Sequence, residues 1–109
     1  MKLYVGGAWQ GQIELAREEN PSAEIMENFH EQIREAVLSH GEEARAFGKR
    51  ICAEHPEAVI VADEVGAGVV PIAAEDRAFR EAVGRALCVI AQNSEKVVRV
   101  TCGIGVRIK

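Results

Sequence analysis

The chain has 109 residues, of which 48% are hydrophobic and 28% are charged, and its formal net charge is −4. This length fits one domain, residues 1–109, and no apolar run is long enough for membrane insertion. The negative charge argues against nucleic-acid and anionic-membrane partners, which require a basic surface. The three cysteines form no paired motif and indicate reduced thiols, packed mostly as small hydrophobic residues, in a cytoplasmic protein.

The first half of the chain predicts one strand followed by helices. Lys2 to Val5 is β-prone and stops at two glycines, and Gly11 to about Glu19 has the apolar spacing of a helix. Ser22 is suited to cap a second helix, which the spacing predicts from Ala23 to about His40. A third helix is predicted from Glu42 to Glu54.

The second half predicts the rest of a sheet. Ala58 to Ala62 is apolar without alternation, which is typical of a parallel strand covered on both faces. A helix is predicted from Glu75 to about Asn93, a strand from Lys96 to Thr101, and a last short strand from Val106 to Ile108. The order of elements predicts an α/β fold with a mainly parallel sheet, helices on both faces and a short C-terminal antiparallel strand.

The stretch VGGAWQG has the context of a phosphate-binding loop, because a strand precedes it and a helix follows it. Gly6 and Gly11 have the spacing of G-x-x-x-x-G-K-[ST], but Gln12 replaces the lysine and Ile13 replaces the hydroxyl residue. Backbone donors would survive these changes, so binding could persist while phosphoryl transfer is lost. A plain strand-to-helix turn is the alternative. The candidate nucleotide-binding residues are Gly6, Gly7, Ala8, Trp9, Gln10, Gly11, Gln12 and Ile13.

Two further features bear on this site. Trp9 could cover a ligand ring, or it could lie over the first helix and fill the phosphate space. VIVADE ends a buried strand in two carboxylates, as in a Walker-B segment, although acidic residues also cap ordinary strand ends. The candidate ligand-loop residues are Asp63, Glu64, Gly66, Gly68 and Pro71. His30, His40 and His55 have no metal-ligand spacing and are interpreted as surface residues.

Three segments together resemble one family. They are DEVGAGVVP (residues 63–71), RAFREAVGRA (77–86) and CGIGVRIK (102–109), with VGGAWQG at the N-terminus. They resemble N-E-V-G-x-G-I-V-P, R-x-F-R-D-x-x-G-R, S-G-I-G-V-K-I-K and T-G-G-A-R-S-G-K-S of the adenosylcobinamide kinase / adenosylcobinamide-phosphate guanylyltransferase family of cobalamin biosynthesis. The resemblance implies a P-loop NTPase-like fold. It also implies phosphorylation of adenosylcobinamide by a nucleoside triphosphate, then GMP transfer through a covalent histidine, with GTP or ATP and Mg²⁺ as candidate cofactors.

This chain departs from the family in several places. Besides Gln12 and Ile13, Trp9 stands at an arginine-like position and Asp63 at an asparagine. The family carries a longer segment where this chain has residues 20–58, and none of the three histidines can be placed on the family histidine. The sequence therefore predicts a shortened, catalytically degenerate relative that retains a nucleotide or corrinoid pocket and has no assigned catalytic residue.

Two alternatives remain open from the sequence. One is an active enzyme completed by a partner subunit, and the other is a structural or regulatory interaction protein without a small ligand. A homo-oligomer is expected, because a shortened parallel sheet leaves an edge that must be covered or paired.

Overall fold

The fold is built on one five-stranded sheet. The computed structural model describes residues 1–65 and 73–109. The strands are β1 (Lys2–Gly6), β2 (Ile25–Met26), β3 (Val59–Asp63), β4 (Lys96–Thr101) and β5 (Ile104–Arg107). Their order across the sheet is β2-β3-β1-β4-β5; the first four run parallel, and β5 pairs antiparallel with β4.

Helices cover both faces of this sheet. They are α1 (Gln12–Glu19), α2 (Phe29–Ile33), a π-helical segment (Arg34–Ser39), α3 (Ala44–Glu54) and α4 (Ala74–Asn93). On one face, Ala16 of α1 packs with Tyr4 and Val98 of the strands. The larger core lies on the other face, where Phe29 and Phe47 stack with ring centroids 5.6 Å apart. The predicted α/β class, with its mainly parallel sheet and short antiparallel strand, is confirmed.

Helix α1 is fixed at its C-terminal end by a partly buried polar cluster. The Tyr4 hydroxyl donates to Glu19 Oε1 at 2.6 Å and accepts from Asn20 Nδ2 at 3.0 Å. Burial, reinforced by the hydrogen bond to Glu19, raises the pKa of the Tyr4 phenol. This cluster ties α1 to β1, so the loop between them is held at a fixed distance from the sheet.

The prediction of one helix from Ala23 to His40 is wrong in its first part. Ile25 and Met26 form β2 and pair with Val59 and Ile60 of β3. The helix begins only after Asn28, whose φ of 52° lies in the left-handed region and interrupts any helix there. Ser22 therefore caps nothing, because pairing with an open strand edge outweighs the local helical spacing. The last strand also begins earlier than predicted, at Ile104.

The cysteines differ from expectation as well. Cys52 is half-buried in the core, but Cys88 and Cys102 are exposed, so only one of the three is packed as a hydrophobic residue. All three are free thiols. Among the residues that the structure describes, no helix combines the length and apolar character that a membrane span requires.

The end of β1 requires glycine. A Cβ atom on Gly6 would lie 2.4 Å from the backbone oxygen of Val100 in β4, and backbone cannot move aside without breaking the sheet. Gly84, on the exposed side of α4, has no atom within 4 Å of the corresponding position. An alanine methyl group would therefore clash with β4 at position 6 but would meet open space at position 84.

We expect Gly6→Ala to lower the free energy of unfolding by about 1–3 kcal/mol, because the added methyl overpacks the β1–β4 contact. Gly84→Ala is the matched control and should raise stability by up to about 1 kcal/mol, since alanine favours a helix interior. Urea unfolding followed by circular dichroism measures both. Equal stability of the two variants would contradict the close approach at Gly6.

Candidate functional site

The glycine loop lies where β1 ends and α1 begins. Because β1 and β3 are parallel neighbours, with Gly6 opposite Asp63, the loop and the end of β3 meet at the same edge of the sheet. Ligands bind at this carboxyl-terminal edge in open α/β sheets. The structure thus brings together the loop and Asp63, which are far apart in the sequence.

The side chain of Gln12 closes the loop. It is 4% exposed, and its Nε2 lies 3.3 Å from Gly6 O, 3.1 Å from Gly7 O and 3.0 Å from Asp63 Oδ1. Its Oε1 is buried and has no hydrogen-bond partner. The amide orientation is fixed by these contacts, because the reverse assignment would place a carbonyl oxygen against three acceptors.

The number of hydrogen-bond donors on Gln12 Nε2 does not match the number of acceptors around it. An amide nitrogen carries two hydrogens, whereas three acceptors surround it; a lysine ammonium carries three donors. The oxygens around Gln12 Nε2 therefore suit the ammonium of the G-x-x-x-x-G-K-[ST] pattern better than they suit an amide. An unsatisfied buried acceptor such as Gln12 Oε1 costs about 1–3 kcal/mol.

The side chain of Trp9 packs against neither the loop nor α1. It is fully exposed, and the backbone φ of 65° lies in the left-handed region. The sequence alternative in which the indole fills the phosphate space or lies over the first helix is therefore wrong. Gly11 precedes α1 with a φ of 88°, a left-handed conformation that favours glycine.

The loop is also held by the hairpin between β4 and β5, which sequence reasoning missed. The backbone N–H groups of Cys102 and Gly103 donate to Gln10 Oε1 and Gln10 O, each at 2.7 Å. The two turn residues have φ values of 52° and 75°, as in a two-residue hairpin turn. The sequence signal for this contact was the glycine in the turn, and a turn glycine does not indicate which other segment the turn contacts.

His30 is a second residue that the sequence did not place. The expectation of a surface histidine is wrong, because His30 is 8% exposed and its Nδ1 accepts the backbone N–H of Asp63 at 3.0 Å. Its Nε2 lies 3.6 Å from Asp63 Oδ2. Asp63 is thus positioned from two sides, by Gln12 and by His30. His55 is half-buried, with Nδ1 3.1 Å from Glu24 Oε1.

Asp63 and Glu64 point in different directions. The Glu64 N–H donates to Gly6 O at 2.8 Å, but its carboxylate lies 3.6 Å from Arg99 and lines a separate cavity with Val65 and Leu87. Successive residues in extended backbone alternate between the faces of a sheet, which explains the separation. Gly66, Gly68 and Pro71 lie outside the described residues.

A cleft of about 370 Å³ opens beside the loop. Its described lining residues are Ala8, Trp9, Gly11, Gln12, Ile13, Glu14, Asn28 and Asp63. These described residues include two carboxylates, Glu14 and Asp63, and no lysine or arginine. Within residues 1–65 and 73–109, no three histidine, cysteine or carboxylate side chains are grouped as metal ligands.

Comparison with known families identifies a match over most of the chain. The family model described as cobinamide kinase / cobinamide phosphate guanyltransferase matches residues 13–108. The matched range begins immediately after Gln12, so it includes Asp63 and Glu64 but not the glycine loop itself. A search of curated proteins found no significant match.

We expect Gln12→Glu to lower the free energy of unfolding by about 1–3 kcal/mol, because it removes the donor that three oxygens share. Gln32→Glu makes the same chemical change on the exposed side of α2 and should stay within about 0.5 kcal/mol of the unmodified chain. Thermal and urea unfolding at neutral pH compare the two. If both variants are equally stable, the Gln12 amide does not hold the loop.

Proposed function

Because the chain belongs to the cobinamide kinase / cobinamide phosphate guanyltransferase family, we propose that it is a binding protein of cobalamin biosynthesis. In this proposal the cleft beside the glycine loop holds a corrinoid or a nucleotide, and no phosphoryl transfer takes place there. The observation that carries the proposal is the Gln12 amide, which occupies the position of the loop lysine and is bonded to the loop and Asp63.

Phosphoryl transfer requires groups that this cleft lacks. Catalysis needs a cation on the outer phosphates and a hydroxyl ligand for Mg²⁺. Gln12 is neutral, its amide hydrogens already face protein oxygens, and Ile13 has no oxygen in its side chain. Loss of one donor to the transition state costs about 10²–10³ in rate. The described residues therefore do not fit a Mg²⁺–triphosphate complex for transfer.

Binding depends on different features. The N-terminus of α1 contributes roughly half a positive charge, and no side chain caps its backbone N–H groups. Against this, Glu14 and Asp63 repel unneutralised phosphates. Neutral groups that donate hydrogen bonds, such as the amide side chains of a corrinoid, suit these carboxylates better. The exposed indole of Trp9 at the same cleft offers an apolar plane for a ring.

Guanylyl transfer through a histidine is not part of the proposal. A nucleophilic histidine needs a ring nitrogen with a free lone pair. His30 Nδ1 accepts a hydrogen bond from Asp63, so in the neutral ring Nε2 carries the proton and faces the Asp63 carboxylate. Neither nitrogen is free in this arrangement. His40 borders a different cavity, with Glu42 and Arg50, and His55 pairs with Glu24 before β3 begins.

The proposal is tested by calorimetric titration of cobinamide, adenosylcobinamide, GMP, and GTP or ATP with Mg²⁺, with product analysis by chromatography. We expect a corrinoid to bind without forming a phosphorylated product. Trp9→Ala should weaken that binding about two- to tenfold by removing ring contact. Turnover by the isolated chain would contradict the proposal; absence of binding to every compound would favour an interaction protein.

Restoring the loop should restore triphosphate affinity. We expect Gln12→Lys with Ile13→Ser to gain about 1.5–3 kcal/mol for GTP with Mg²⁺, roughly ten- to a hundredfold, because lysine adds a charge and serine a metal ligand. Adding Trp9→Ala should leave this gain unchanged, since the indole lies in solvent.

Gln32→Lys is the control for the lysine charge, because it places the charge on α2 outside the cleft. It should leave the affinity for GTP within about twofold of that of the unmodified chain. If the double variant gains no more than this control, the loop is an ordinary turn and its nucleotide assignment must be abandoned.

A further inference from the structure

Two glutamines of the glycine loop bind in different directions. Gln12 binds Asp63 at the end of β3, whereas Gln10 binds the turn between β4 and β5. Gln10 lies between Trp9 and Gly11, whose φ values of 65° and 88° are both left-handed. Trp9 and Gly11 line the cleft, but Gln10 is not among its described lining residues. The side chain of Gln10 is therefore placed to hold the loop and not to contact a ligand.

The turn presents two backbone amides that the hairpin itself does not use. The flanking residues Thr101 and Ile104 pair with each other, so the N–H groups of the two residues between them have no acceptor in the strand ladder. These residues are Cys102 and Gly103, and backbone N–H groups need an acceptor from protein or water. Gln10 supplies both acceptors: its Oε1 accepts from Cys102 N and its main-chain oxygen accepts from Gly103 N, each at 2.7 Å.

The backbones of the loop and the turn also approach each other closely. A Cβ atom on Gly11 would lie 3.3 Å from Gly103 Cα and 3.7 Å from Gly103 N. Gly11 immediately precedes α1, and the first three residues of that helix, 12–14, line the cleft. Because the approach leaves little free space, a movement of the turn toward the loop displaces the start of α1.

We infer that Gln10 is a positioning residue, which couples the conformation of the β4–β5 turn to the glycine loop and to the cleft beside it. The Gln10 side-chain oxygen fixes the loop on the turn, while the Gln12 amide fixes the same loop on β3. The loop keeps its conformation when both contacts are made. An effect of Gln10 on ligand affinity rests on the proposed function, but the coupling between the turn and the loop does not.

Two substitutions separate the oxygen of the Gln10 side chain from its other properties. Glutamate carries a carboxylate oxygen at the same distance from the backbone, whereas methionine has a similar length and only a weakly accepting sulfur. Gln10→Glu therefore keeps the bond from Cys102 N, and Gln10→Met removes it. Both variants lose the contact of Gln10 Nε2 with Ala8 O at 3.5 Å, so that contact cannot account for a difference between them.

Hydrogen exchange of the Gln12 side-chain amide, measured by NMR on the unliganded chain, tests the coupling, because this amide binds β3 and not the turn. Its signal is identified by its absence in Gln12→Glu. We expect Gln10→Met to accelerate this exchange about three- to tenfold, since one hydrogen bond that opposes opening of the loop is lost. Gln10→Glu should change it less than about twofold. Gln32→Met makes the same substitution on α2 and should have no effect, and circular dichroism verifies that all variants fold.

Calorimetric titration with cobinamide measures the effect on the cleft. We expect Gln10→Met to weaken cobinamide binding about three- to tenfold and Gln10→Glu to stay within about twofold of the unmodified chain. If the unmodified chain binds no cobinamide, the proposed function fails, and the exchange of the Gln12 amide alone decides the coupling. Equal exchange in Gln10→Met and Gln10→Glu would overturn the inference, as would an unchanged affinity of Gln10→Met when the unmodified chain does bind cobinamide.

Discussion

The buried amide of Gln12 ties the end of β1, the glycine loop and the end of β3 together. Its nitrogen faces oxygens of Gly6, Gly7 and Asp63, so a single side chain bridges the glycine loop and the end of β3 at the carboxyl-terminal edge of the sheet. The unsatisfied Oε1 of the same amide shows that the contact is not fully complementary. The loop therefore keeps its position while the charge needed for phosphoryl transfer is absent.

The larger hydrophobic core and the cleft are built from different residues. The sheet and its helices are held by apolar packing, such as the stacked Phe29 and Phe47 and the buried Ile60, none of which lines the cleft. Gln12 belongs to neither core cluster, so a change there leaves that packing in place. Membership of the family is thus compatible with loss of its reaction, because a fold supports a site but does not supply the site's chemistry.

Sequence reasoning predicted the features that depend on local pattern. The continuous apolar run that forms β3, the glycine loop and the long helix α4 were predicted within one or two residues of their observed bounds. β2 was missed because its two residues become a strand only by pairing with β3, which is distant in the sequence. His30 was missed for the same reason, since its burial depends on where β3 ends.

The two carboxylates after β3 illustrate how sensitive a site prediction is to one residue. The strand continues through Asp63, not only to Ala62, and the alternation of side chains then directs Asp63 and Glu64 to different cavities. The prediction from sequence placed both carboxylates in one site. The apolar run alone does not determine where pairing stops, because Asp63 joins the strand by pairing with Gly6 of β1.

The hydrogen bonds from Cys102 and Gly103 to Gln10 have an experimental consequence. These two amides belong to the β4–β5 hairpin, yet their acceptors belong to the glycine loop, ninety-two residues away for Cys102. Opening of the loop breaks both hydrogen bonds even while the sheet stays intact. The hydrogen-exchange rates and chemical shifts of these two amides therefore report on motion of the glycine loop, and no probe has to be placed in the cleft.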